Sequence, residues 1–283
     1  MTAKVILLGL PTDINSSHLR GPSRAPAAIR ATLASGASNL FSEGGMDLAS
    51  VGMLRDGGDA AITETPADLE GIAEAAAAAF RQGAGLFLGG DHFVTWPILE
   101  GLERAGRPAP HLVHVDAHPD IYPDFEGNPH SHASPMARIL ERGLVASLTQ
   151  IGVRTVNDVQ QRQIDLYRVR AFPARRLSEA MANLPVGPTY LSIDLDGLDP
   201  AFAPGVSHHE PGGLSVRELL DLIDALPGPL IGADIVELNP DRDVNGMTAA
   251  VAAKLVKELA ARMADDSERT GSGAGPPRLK TGI

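Results

Sequence analysis

The sequence contains no cysteine. That absence excludes disulfides and thiolate metal sites, so any metal must be held by histidine and carboxylate side chains. No apolar run approaches the roughly 18 residues that a membrane-spanning helix needs, and the opening Met1-Thr-Ala-Lys-Val-Ile-Leu-Leu-Gly-Leu enters a strand-like segment without a signal-peptide pattern. A cytoplasmic location is therefore expected. Basic residues are the minority, 24 Lys and Arg against 35 Asp and Glu, for a formal net charge of −11. This balance speaks against nucleic acid or an anionic membrane as partner and is compatible with a small cationic substrate, although acidity also serves plain solubility. Neither an interdomain linker nor an internal repeat is visible.

What is present is a chain of 283 residues, 43% hydrophobic and 21% charged, able to bury a large core. Short apolar runs at Val5–Leu8, Gly85–Leu88, His111–Val115, Leu148–Val153, Tyr190–Ile193 and Leu230–Val236 read as buried strands. Between them, Pro26–Leu33, Asp68–Gln82, Thr95–Arg104, Ser134–Arg142, Val216–Leu226 and Met247–Met263 carry apolar positions at helical spacing. The alternation predicts an α/β fold, a mostly parallel central sheet between two helical layers. One domain is expected over residues 1–264, followed from Asp265 by a disordered tail, residues 265–283, rich in Gly, Ser, Pro and charge.

Ligands of open parallel sheets bind at the carboxyl ends of the strands, and here those ends are acidic or histidine. Gly85–Leu88 leads into Gly89-Gly90-Asp91-His92, His111–Val115 into Asp116-Ala117-His118-Pro119-Asp120, Tyr190–Ile193 into Asp194-Leu195-Asp196, and Leu230–Val236 into Glu237. In an extended chain residues i, i+2 and i+4 share a face, which aligns Asp116, His118 and Asp120, and likewise Asp194 with Asp196. Four such aspartates in a partly buried cleft would repel one another strongly. Divalent cations remove the conflict, and the six groups His92, Asp116, His118, Asp120, Asp194 and Asp196 suit two ions sharing bridging carboxylates better than one ion with an open position. The oxygen-rich set favours Mn²⁺ over tetrahedral Zn²⁺. Gly-Gly-Asp-His alone also fits a turn with a helix cap, and Asp199 reads as an ordinary turn residue capping its own backbone.

Four motifs in order, Gly89–His92, Val115–Asp120, Ser192–Pro200 and Asp234–Pro240, make the chain resemble the ureohydrolase family, which includes arginase, agmatinase, guanidinobutyrase, proclavaminate amidinohydrolase and formimidoylglutamase. The resemblance implies the arginase-like αβα fold, two Mn²⁺ per subunit, a trimer or hexamer, and hydrolysis of a guanidino compound to urea and an amine. It implies one ion held by His92, Asp116, Asp120 and Asp194 and the other by Asp116, His118, Asp194 and Asp196, with Asp116 and Asp194 bridging. It also implies that Glu237 anchors the guanidinium and that His132 transfers a proton, His130 being the competitor two residues away.

Two features bear on the substrate's tail. Loop Ile121–Ser131 carries Asp124 and Glu126, where arginases have Ser, Thr and Asn for an α-carboxylate, and Asn157 stands where an acidic reader of the α-amino group would align. Agmatine, cleaved to putrescine and urea, is therefore expected over arginine or another guanidino acid, and Ser207–Pro211 could also contact the tail. Two rivals remain: a single-zinc deacetylase-like amidohydrolase, opposed by the six-ligand set, and a non-catalytic metal-binding relative, opposed by the completeness of the reacting residues.

Overall fold

The computed structural model describes residues 5–50 and 53–272. Eight parallel strands form one sheet in the order β2-β1-β3-β8-β7-β4-β5-β6, with β1 at Val5–Gly9, β2 at Leu54–Asp59, β3 at Ala84–Leu88, β4 at His111–Val115, β5 at Ser147–Val153, β6 at Arg170–Pro173, β7 at Thr189–Asp194 and β8 at Leu230–Val236. The helices are α1 (Ala25–Leu33), α2 (Asp68–Phe80), α3 (Thr95–Arg104), α4 (Pro135–Glu141), α5 (Asp158–Tyr167), α6 (Leu177–Ala182), α7 (Val216–Ala225) and α8 (Met247–Ser272).

Side chains alternate across the strands and so build two cores. Leu86, Leu88, Val113, Val115, Leu191, Ile193, Ala233 and Ile235 face the core shared with α1, α6, α7 and α8. Phe87, Leu112, Tyr190 and Val236 face the opposite core, shared with α2, α3, α4 and α5. The result is the expected three-layer αβα fold, here with an entirely parallel sheet.

The register sets the site. Leu88, Ile235, Ile193 and Val115 lie in one row across the four central strands, so the residues just beyond that row emerge side by side. After β3 and β4 the chain passes to helices on one face, whereas after β7 and β8 it passes to helices on the other. Neighbouring connections that leave in opposite directions open a crevice above the sheet.

Both edge strands escape the sequence pattern. β2 (Leu-Arg-Asp-Gly-Gly-Asp) is largely exposed and β6 ends in proline, features that suit a sheet edge rather than a buried strand. The helix α5 also lacks a continuous apolar stripe, burying only Gln160 and Ile164, and starts on a capping box between Asn157 and Gln160. α8 continues to Ser272, past the expected boundary at Asp265. Asp266 accepts hydrogen bonds from Arg262 Nε and from Leu230 N, each at 2.9 Å, so charge that reads as solvated tail is tied to the start of β8. Residues 273–283 of the expected tail lie outside the described residues. Among the described residues no helix is long and apolar enough to cross a membrane.

Candidate functional site

The carboxyl ends of β3, β4 and β7 bring all six expected ligand residues to one place, with Glu237 beside them at the end of β8. His92, in a short 3-10 turn between β3 and α3, points Nδ1 at Asp116 Oδ2 and Asp120 Oδ2, both at 3.1 Å, and at Asp194 Oδ2 at 3.2 Å. His118 points Nδ1 at Asp196 Oδ2 at 3.1 Å and at Asp116 Oδ1 at 3.4 Å. Asp116 thus gives one oxygen to each side of the cluster. His92, Asp116, Asp120, Asp194 and Asp196 are buried.

Local backbone delivers these groups differently from the extended-chain expectation. Asp120 has φ 47°, left-handed, so the i, i+2, i+4 rule does not hold through Pro119; the chain turns and still presents the carboxylate. Glu237, φ 65°, is left-handed as well, and strain of this kind concentrates at functional sites. Asp194 ends β7 and its carboxylate caps the following 3-10 turn by accepting from Asp196 N at 2.7 Å. Gly90 is required by close approach, since a Cβ there would sit 1.7 Å from Thr12 O. Asp199 does cap its own turn, accepting from Ala201 N and Gly212 N.

The donors fit a metal centre. His92 Nδ1 is buried without a hydrogen-bond partner, facing three carboxylate oxygens, while Nε2 is held by Ser192 Oγ at 2.9 Å. Ser192 in turn donates to the buried Asp234 at 2.7 Å, as does Tyr190 at 2.8 Å. Such outer partners fix the orientation of a ligating imidazole. On the far side, His114 Nε2 lies 2.8 Å from Asp116 Oδ2, and Gln150 Nε2 lies 3.0 Å from His114 Nδ1. Because the Gln150 amide donates to Nδ1, His114 carries its proton on Nε2 and donates to Asp116.

Electrostatics agree with the donor chemistry. Burial, together with Asp196 and Asp116, pushes the Asp194 carboxyl well above the ordinary range, and burial with Asp116 raises Asp196 to about 6. Burial alone would depress His92 and His118, yet the surrounding aspartates hold both well above a normal imidazole. Carboxylates this crowded need cations, either imidazolium protons or metal ions. Among the described residues two groups have the spacing of metal ligands: His92, His114 and Asp116, and Asp116, His118 and Asp196.

Glu237 and His132 stand beside this cluster. Glu237 Oε1 accepts from His92 N and lies 2.8 Å from His132 Nδ1, whereas Oε2 is buried with no partner. Burial would lower the His132 pKa, but the charge and hydrogen bond of Glu237 outweigh it and raise the imidazole to about 9. His130 lies elsewhere, its ring 5.3 Å from that of Trp96 and 5.8 Å from that of Phe93.

A cleft of about 540 Å³ opens over the cluster, with His118, Asp120, His132, Ser17, Tyr122, Phe125, Arg154, Asn157, Gln160 and His208 among its lining. Asp124 and Glu126 do not line it, so the loop's acidic residues, read above as bearing on the substrate's tail, do not meet it. Both are exposed; the turn that pairs Phe125 with Asn128 rotates Phe125 inward, leaving the two charges in solvent where they cost least. His208 does reach the cleft, with ring centroids 5.8 Å from His118 and 5.5 Å from His132. Tyr122 lies in the loop read as bearing on the substrate's tail, whereas Ser17, Arg154 and Gln160 belong to no motif and only the tertiary fold brings them here.

Known proteins share this arrangement of chain. The arginase family model matches residues 3–261. Arginase 1, mitochondrial, of Arabidopsis thaliana is 43% identical over 279 residues, covering 92% of this chain and 81% of that protein. The N(1)-aminopropylagmatine ureohydrolase of Thermus thermophilus is 34% identical, covering 88% and 87%. Among solved structures, arginase from Medicago truncatula superimposes with a TM-score of 0.85 at 38% identity, covering 93% of this chain and 88% of that one. With the fold, the strand-end carboxylates and the family match all in agreement, the chain belongs to the arginase family, whose members are hydrolases of guanidino compounds.

Proposed function

We propose that this protein hydrolyses arginine to ornithine and urea at a centre of two Mn²⁺ ions, one held by His92, Asp116, Asp120 and Asp194 and the other by Asp116, His118, Asp194 and Asp196. The observation that carries the reading is the pairing of the histidine–aspartate cluster with Glu237 Oε2, a buried carboxylate oxygen lacking a partner. When bound, the ions supply a nucleophilic water whose pKa is lowered from 15.7 to roughly 7.

The chain's own residues do the rest. Glu237 Oε2 accepts an N–H of the planar guanidinium, a charge-assisted bond that fixes its carbon in the cleft. His132, protonated at neutral pH beside Glu237, gives the leaving amine its proton. Asp234 and Ser192 keep His92 oriented.

Support for arginine comes from the mouth. Arg154, whose Nη atoms are held by the carbonyls of Gly152, Asp196 and Gly197, contributes a positive charge to the lining, and Tyr122 and Gln160 contribute a hydroxyl and an amide, a surface that suits an α-carboxylate better than the exposed Asp124 and Glu126 would have done. The 43% identity to a protein named arginase points the same way. Agmatine, cleaved to putrescine and urea, is the second reading, favoured by Asn157: its side chain caps α5 and reaches Tyr122, leaving no acidic group there for an α-ammonium. Self-association as a trimer or hexamer and a cytoplasmic location belong to the same reading. Urea release from a panel of guanidino compounds with added Mn²⁺ tests it; no urea from any of them refutes the proposed chemistry.

A further inference from the structure

We propose that Ser17 is a positioning residue through which the buried His132 imidazole exchanges its proton with water in the cleft. The inference rests on the reading of His132 as the proton donor and concerns a residue outside every motif of the sequence.

Three observations carry it. First, His132 has one nitrogen committed inward, Nδ1 to Glu237 Oε1 at 2.8 Å, so exchange with solvent falls to Nε2. Second, Nε2 meets Ser17 twice, with the Ser17 backbone N at 3.1 Å and Oγ at 2.8 Å. An amide N–H can only donate, whereas a hydroxyl donates or accepts. The neutral ring therefore keeps a lone pair on Nε2 and its proton on Nδ1, directed at Glu237; the imidazolium places its second proton on Nε2 and donates it to Ser17 Oγ. Only Ser17 Oγ can serve both protonation states, accepting from the imidazolium and donating to the neutral ring, whereas the Ser17 N–H suits the neutral ring alone. Third, both residues line the cleft, His132 only 7% exposed and Ser17 exposed, so the hydroxyl gives the nearly buried imidazole a partner on its more open side.

The loop that carries Ser17 is held in place from both sides. Asp91 Oδ2, on a fully buried side chain, accepts from Asn15 N at 2.9 Å, and His132 N donates to Asn15 O at 3.1 Å. Asp91 N donates to Thr12 O at 2.9 Å. Ser17 is consequently a fixed partner of His132.

The transfer balances. The Nε2–H bond breaks as Ser17 Oγ takes that proton, and the hydroxyl's own proton passes to a water or buffer base in the cleft. The net change is one proton moved from imidazolium to solvent, and the reverse sequence reloads His132 for the next turnover.

The test compares Ser17→Ala with Ser17→Thr in the Mn²⁺-loaded enzyme, alongside ¹⁵N-histidine NMR of the metal-free wild type. Ser17→Ala should lower kcat for urea release by at least about tenfold at low buffer concentration, leave KM within about twofold, and recover as imidazole buffer is added; Ser17→Thr, which keeps the hydroxyl, should retain most of the wild-type rate. His132 should titrate from an Nδ1–H neutral tautomer. A Ser17→Ala enzyme as fast as wild type and insensitive to buffer, or an Nε2–H tautomer in the wild type, overturns the proposal. Wild-type protein that releases no urea overturns instead the reading beneath it, and the tautomer measurement still decides the Ser17 geometry. Should Ser17→Ala fail to fold, the tautomer and the Ser17→Thr rate decide.

Discussion

His132 and Glu237 are hydrogen-bonded at 2.8 Å, Nδ1 to Oε1, across 105 residues of sequence. The bond occupies one oxygen of Glu237 and leaves the other free in a buried setting, which divides the carboxylate between orienting the imidazole and receiving the substrate. His132→Ala should therefore reduce kcat by about 10²–10⁴, the range of positioned acid–base groups, with metal content near wild type because His132 touches none of the ligand atoms. His130→Ala should remain within about threefold, its ring packing on Trp96 and Phe93 outside the cleft. Equal losses in the two variants would remove His132 from the mechanism.

The same pair sets a pH dependence of stability in the metal-free protein. His132 is raised from an ordinary value of 6.5 to about 9, so its contribution is fully present below pH 6.5 and is lost as pH rises through about 9. Glu237, held below its usual value because the charge and hydrogen bond of His132 outweigh burial, reports the same interaction from the other side and is not a second contribution. Melting temperature should fall between pH 6.5 and 9 more steeply in wild type than in His132→Asn. Parallel curves would mean that the pair does not carry this charge.

Asp116 separates from its neighbours by serving both halves of the cluster, Oδ2 toward His92 and Oδ1 toward His118. Asp116→Asn should leave less than about one ion per chain after dialysis against Mn²⁺, whereas Asp120→Asn, which lies on the His92 side only, should keep about one. Chelation should abolish urea release and Mn²⁺ should restore it. Elemental analysis decides the first point: identical metal content in both variants contradicts a shared carboxylate.

How far the sequence reveals this molecule differs from part to part, for physical reasons. The clustered histidines and aspartates are legible because they follow buried strands whose register forces their ends into one row. β2 and β6 are not, because an edge strand needs no apolar face. Asp120 reaches the cluster by a left-handed turn that a strand-like reading through Pro119 does not contain, so the expected neighbours are reached by an unexpected path. Ser17 and Arg154 reach the cleft through contacts made only on folding, to His132 and to the carbonyls of Asp196 and Gly197, with no local pattern to announce them. Asp124 and Glu126 show the reverse error: their charge is plain in the sequence, and the direction of their side chains is not.

On the arginine reading proposed above, that direction bears on substrate choice. On that reading, with Asp124 and Glu126 exposed, an α-carboxylate entering the cleft meets no acidic side chain from the loop and finds the Tyr122 hydroxyl and Gln160 amide beside the positive charge of Arg154. Hydrogen bonds to a charged group are worth about 1.5–3 kcal/mol, and 1.4 kcal/mol is tenfold in rate at fixed substrate concentration. Arginine should accordingly exceed agmatine in kcat/KM by at least about tenfold. Arg154 also holds the carbonyls of Gly152, Asp196 and Gly197, so replacing it would disturb the metal side of the cleft as well as the mouth. Tyr122→Phe is the cleaner probe: it removes one hydroxyl at the rim, and its effect should appear in KM for arginine by about three- to tenfold while agmatine is little changed. Initial rates on both substrates at saturating Mn²⁺, in wild type and Tyr122→Phe, check both claims. Agmatine matching or exceeding arginine would transfer the tail pocket to the second reading and leave the urea-releasing chemistry standing.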